Sequence, residues 1–200
     1  MVSRNRTYCR AAVAAAILIL TLPSAGCFTL SVEPLHSEDT LVQDPGLWGV
    51  WGDPDDPQGE TWQFSDRGGG AMRLVVRQED SLRIRPDQDG LLEAHLLELN
   101  GNRYLDLFPE EPEAGNEIFL AHVVPAHSLW KIEREGDVLT LYALDSGALE
   151  QAIEDGRIPI GHIERDDMLV LTATTAELQD LVTRYDDLLF PEGESMQRIQ

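Results

Sequence analysis

Residues 92–108 read LEAHLLELNGNRYLDLF, and their reading decides the fold. Two apolar runs, 92–99 and 103–108, flank Asn100-Gly101-Asn102. Asn and Gly tolerate the left-handed backbone that a tight turn needs, so the stretch predicts an antiparallel hairpin. The same grammar recurs outward along the chain. Further strands are expected at 47–51, 61–65, 72–77, 81–85, 117–124, 128–134, 138–144 and 168–173, with 159–164 as one more candidate. Gly136-Asp137 and Asp166-Asp167 mark other hairpin links. This many short strands predict a mainly β domain, an antiparallel meander forming a barrel-like or sandwich domain.

Two late segments break the alternation. In 146–156, Ala148, Leu149, Ala152 and Ile153 share one helical face, and Gly156 is a stop signal. In 175–189, Leu178, Leu181, Val182, Tyr185, Leu188 and Leu189 form one stripe. Thr174 and Glu177 supply a capping box before it. Two α-helices are therefore expected beside the β domain.

The chain of 200 residues carries 15 Lys+Arg against 36 Asp+Glu, a formal net charge of −21. Bulk attraction to nucleic acid or anionic lipid is excluded at that charge. A hydrophobic fraction of 42% is too high for a disordered tail.

The N-terminus has a different character. Residues 1–10 hold Arg4, Arg6 and Arg10 and no acid; an uncharged run follows from Ala11 to Leu22, then Pro23-Ser24-Ala25-Gly26-Cys27. A positive start, an apolar core and small residues at the end make a secretory signal. The run is too short for a membrane span of about 20 residues. Ala25-Gly26-Cys27 resembles the lipobox of bacterial lipoprotein precursors. Ser24 stands where that family usually has Leu, three residues before the Cys. The resemblance implies cleavage before Cys27, diacylglycerol on its sulfur, and a place in the bacterial cell envelope. Phe28, where Asp would favour the inner membrane, implies the outer membrane facing the periplasm. Cys9 leaves with the signal, so no internal disulfide is expected.

The expected organisation is a signal peptide (1–26), a lipidated Cys with a tether (27–45), a β-rich globular domain (46–190) and a frayed tail (191–200). Within the domain, Gly46-Leu47-Trp48 and Gly49-Val50-Trp51 are consecutive G-x-W triplets. They resemble the opening strand of lipocalin-type barrels, where such a Trp closes the barrel base. That resemblance implies a carrier of a small apolar ligand, with Trp48 and Trp62 as contact candidates. Packing alone also accounts for them, since a Trp buries about 150–250 Å² without a ligand.

Arg73 and Arg77 share one strand face, as do Arg83 and Arg85 on the next expected strand. A hairpin would gather these four of twelve mature basic residues on one surface. They can grip an anion, or pair with the chain's own acids. The histidines offer one close pair, His122 and His127 with Pro125 between, and no HExxH. The Asp-rich stretches at 53–56, 87–90 and 166–167 lack calcium-loop spacing. No G-x-S-x-G, P-loop or G-x-G-x-x-G occurs. No catalytic residue, metal or cofactor is therefore expected. Asp106 is a carboxylate inside an apolar strand, and only its convergence with a His and an Arg in one pocket would mark a hydrolase. The expectation is a lipid-anchored, non-enzymatic binding or interaction module with an envelope protein or small ligand as partner and no nucleic acid. A calycin-like carrier is the alternative, and an empty or packed interior separates the two.

Overall fold

The computed structural model describes residues 28–56, 59–77, 90–110, 122–165 and 168–200. In chain order the elements are β1 (Phe28–Ser31), β2 (Gly49–Gly52), β3 (Thr61–Gly68), β4 (Ala71–Arg77), β5 (Gly90–Leu99), β6 (Asn102–Pro109), β7 (Ser128–Glu135), β8 (Val138–Ala143), α1 (Ser146–Glu154), β9 (His162–Arg165), β10 (Met168–Leu171), α2 (Thr175–Arg184), α3 (Asp186–Leu189) and β11 (Gly193–Arg198). One turn of 3-10 helix, Pro45–Leu47, precedes β2. Expected strand 81–85, residues 117–121, Cys27 and the signal lie outside the described residues. Residues 122–124, expected to extend a strand, carry none.

The meander closes into an eight-stranded barrel, with β2 through β8 in sequence order and β11 inserted between β8 and β2. The β5–β6 hairpin turns through Asn100 (φ 51°) and Gly101 (φ 85°), two left-handed residues whose twist matches the strands they join. A second sheet of three strands, in the order β1-β10-β9, lies outside the barrel; β1 runs parallel to β10 and β9 antiparallel to it.

Two cores share the barrel wall. Inside, Leu47, Trp51, Phe64, Leu74, Leu96, Leu105 and Leu139 are essentially fully buried. Outside, Leu35, Leu97, Tyr104, Leu129, Leu149, Leu169, Leu178 and Val182 pack the helices and small sheet onto the barrel. This explains Leu96-Leu97: adjacent residues point to opposite faces, and both faces are covered. The helices start as their sequence dictates. Asp145 caps α1 by accepting from the Ala148 N–H, and Thr174 and Glu177 form the reciprocal capping box of α2. The stripe expected as one helix over 175–189 is broken at Tyr185 into α2 and α3.

Two expected boundaries change. Residues 28–45 are not a tether: β1 is hydrogen-bonded into the small sheet, Leu35 is fully buried, and residues 40–42 bridge to β5. Scattered apolar residues in that segment are its contacts with the outer core. Residues 191–200 are not a frayed tail, because 193–198 form the strand that closes the barrel.

Candidate functional site

The two ends of the barrel differ. The tight β3–β4, β5–β6 and β7–β8 turns gather at one end, and that end is stoppered. Asp44 caps the 3-10 turn and takes Arg103 at 3.0 Å and Arg134 at 3.2 Å. Burial raises its carboxyl pKa, but hydrogen bonding from Arg134 and the Gly46 N–H, with the charges of Arg134 and Arg103, outweighs this and holds it below the usual value. Trp51 donates its Nε1–H to the Leu47 carbonyl at 2.7 Å, and the Arg198 guanidinium lies 4.4 Å from its ring centroid. Arg198 also donates to the carbonyls of Trp48 and Gly46 and to Asp137 Oδ1.

The opposite end, where the longer connections leave, holds a cup of about 340 Å³. Trp62, Trp130, Leu141 and Met196 form its wall, and Glu60, Glu192 and Glu194 stand around it. The two indoles meet edge to face with centroids 5.2 Å apart, and Trp62 donates to Glu60 Oε1 at 2.6 Å. Glu194 reaches this position because it lies opposite Leu141 and two residues from Met196, which is the inward parity of β11. Among the described residues lining the cup, none is basic. Aromatic faces beside carboxyl groups can take a positive head on an apolar body.

A second cluster lies on the outer side of the barrel wall. The fully buried Asp106 accepts from the Leu35 N–H at 2.7 Å, from His36 Nδ1 at 2.7 Å and from His127 Nδ1 at 2.6 Å. An ionised carboxylate only accepts, so both histidines carry their proton on Nδ1. Burial raises the Asp106 pKa, but hydrogen bonds from His127 and His36 outweigh it and hold the carboxyl far below the usual range. His95, directly across the strand pair from Asp106, stacks on His36 with centroids 3.9 Å apart. Its Nδ1 is buried with no hydrogen-bond partner among the described residues. Burial depresses the His95 pKa, and the neighbouring His36 adds to the effect. Among the described residues, no group of three or more His, Cys, Asp or Glu is arranged to hold a metal ion. Among the described residues, the groups hydrogen-bonded to the Asp106 carboxylate are His36, His127 and the backbone N–H groups of residues 35 and 36. This geometry clamps residues 35–36 to the barrel.

The residues singled out in sequence fall in separate places. Arg73 is exposed on the outer face, donates to both oxygens of Glu110 and stands opposite Glu93. Arg77 is exposed on the same face of β4. Arg83, Arg85 and Cys27 lie outside the described residues. Trp48 is 41% exposed beside the stoppered end, away from the cup that contains Trp62. Sequence reasoning missed Trp130, although its parity with Ile132 was a signal for the inner face. The three-histidine cluster carries no local signal, since His36 falls in the segment expected to be a tether. Comparisons with protein-family models, curated proteins and solved structures returned no match.

Proposed function

We propose that this chain is a lipid-anchored binding module of the bacterial cell envelope, held to the membrane through Cys27 and without catalytic chemistry of its own. Its barrel mouth takes a small ligand, or one end of a longer one, with an apolar body and a positive head. The observation that carries this reading is the cup of about 340 Å³ walled by Trp62 and Trp130 and flanked by three glutamates. That volume lies at the small end of the usual range for ligand sites, about 300–1,000 Å³. Trp51, Phe64 and Leu74 are buried side chains of the barrel interior, which supports a ligand held at the mouth.

Tryptophan fluorescence and calorimetry test the site with three probes of one alkyl length, bearing a trimethylammonium, a neutral or a sulfate head. The expected result is saturable binding that favours the cation, weakened about tenfold by Trp130→Ala and measurably by Glu194→Gln. Equal uptake of all three probes, or no effect of Trp130→Ala, would overturn the cup. Mass spectrometry of the membrane-extracted protein tests the anchor: acyl groups on an N-terminal Cys27 support it, and an unmodified Cys27 refutes it.

A further inference from the structure

The small sheet has two faces of opposite character. Thr29, Ser31, Leu169 and Leu171 point into the protein and are buried. On the other face the register sets Phe28, Met168 and Arg165 in one row and Leu30, Val170 and Ile163 in the next. Directly paired residues share a side, and so do residues two apart along a strand, so all six belong to one surface. Phe28 and Ile163 are each 58% exposed and Met168 is 41% exposed. The only charged side chain in these two rows is Arg165. An outward apolar face of this kind on a soluble domain marks a contact surface.

The position of this face says what covers it. Phe28 immediately follows Cys27 and is already paired with Met168 in β1. A diacylglyceryl group on Cys27 would therefore hang about one Cα–Cα step, roughly 3.8 Å, from the apolar rows. The folded chain provides no spacer to lift the domain away, since residues 28–45 are packed onto the barrel. Without the signal's three Arg, 12 basic residues face 36 acidic ones, and this net charge of −24 opposes adsorption to an anionic leaflet, so contact must come from apolar burial. A single arginine at the edge of the patch can meet a lipid phosphate. We infer that the Phe28/Leu30/Ile163/Met168/Val170 face is a bilayer seat. It rests at the headgroup–acyl boundary of a zwitterionic leaflet and fixes the domain's orientation there. This inference rests on the lipid anchor proposed for Cys27.

The test uses membrane-extracted, acylated protein carrying Ile163→Cys labelled with an environment-sensitive fluorophore. The protein is reconstituted into phosphatidylcholine vesicles containing doxyl-labelled lipid. Met168→Cys serves as a second labelled position should the first disturb folding. Val138→Cys, exposed beside the tight β7–β8 turn, is the reference. The expected result is a blue shift at Ile163 or Met168 and at least twofold stronger doxyl quenching there than at Val138. Equal quenching at all positions on a protein shown by mass spectrometry to be acylated would overturn the seat and leave the anchor standing. A blue shift without doxyl quenching would assign the face to a second copy of the chain and also overturn it. Absence of acyl groups from Cys27 would remove the anchor and the seat together.

Discussion

Asp106 Oδ1 lies 2.6 Å from His127 Nδ1, and its Oδ2 lies 2.7 Å from His36 Nδ1. One buried carboxylate thus holds a residue from the strand-leading loop at 127 and a residue from the N-terminal segment. His127 also exchanges backbone hydrogen bonds with Ser31 at 2.8 and 2.9 Å. The clamp therefore fastens the small sheet to the barrel.

Asp106→Asn keeps the size and removes the charge. The amide retains one acceptor oxygen for donors that occupied two carboxylate oxygens, and its NH2 confronts an N–H. Loss of charge-assisted bonds at a buried site is expected to lower stability by about 1.5–3 kcal/mol. Urea unfolding would register the loss as a lower midpoint, and an unchanged midpoint would show that the clamp is energetically idle.

Acid should act on this cluster in two windows. The folded protein depresses the His95 pKa, so below about 6.5 the unfolded chain holds a proton that the native one lacks, and stability falls with pH. The groups facing it are His36, His127, Asp106 and Glu93. Asp106 is also depressed, so its contribution is present above about pH 3.9 and is lost as pH drops toward its lower folded value. Denaturation midpoints between pH 7.5 and 5 should decline, and His95→Phe, which can keep the stack, should flatten that decline. An equal slope in the variant would place the titration elsewhere.

Leu181 lies in the outer core on α2 and is buried. Leu181→Ala is expected to cost about 2–5 kcal/mol through lost burial and the cavity left behind. Thermal or urea unfolding checks this, and wild-type stability would mean that α2 contributes nothing by docking.

Gly49 has φ 132°, and a Cβ there would stand 2.7 Å from the Gln200 carbonyl oxygen and 2.6 Å from Arg198 Nη1. Gly49→Ala should therefore destabilise the stoppered end by about 1–3 kcal/mol from backbone strain. Hydrogen exchange at β2 and β11 would rise selectively, whereas an unaltered pattern would show that the end relaxes freely.

Period-two patterning is visible wherever one strand face is more apolar than the other, and it exposed the meander from Trp62 to Tyr142. The helix signals were equally local: the Thr174/Glu177 capping box lies within four residues. What stayed hidden was long-range. The GESMQR strand at 193–198 has one buried side chain, Met196, so its alternation carries little hydrophobic signal. Residues 28–31 were hidden for a related reason, because β1 borrows its ladder from β10, about 140 residues away. The histidine cluster draws His36, His95 and His127 from three distant positions around Asp106, and no local spacing encodes that meeting. Trp62 was legible as an inward aromatic, but its neighbour Trp130 meets it only through barrel closure.

The insertion of β11 between β8 and β2 sets the timetable of folding. Before residues 193–198 are available, β2 and β8 are the open edges of a seven-stranded sheet, with backbone groups available to other chains. Ring closure then joins Arg198 to Trp51, across nearly 150 residues of intervening chain. Such distant pairing makes the last step slow to arrive and easy to interrupt. A polypeptide halted before Gly193 would keep both edges open to pairing with other chains, so the barrel is protected only when its closing strand is in place.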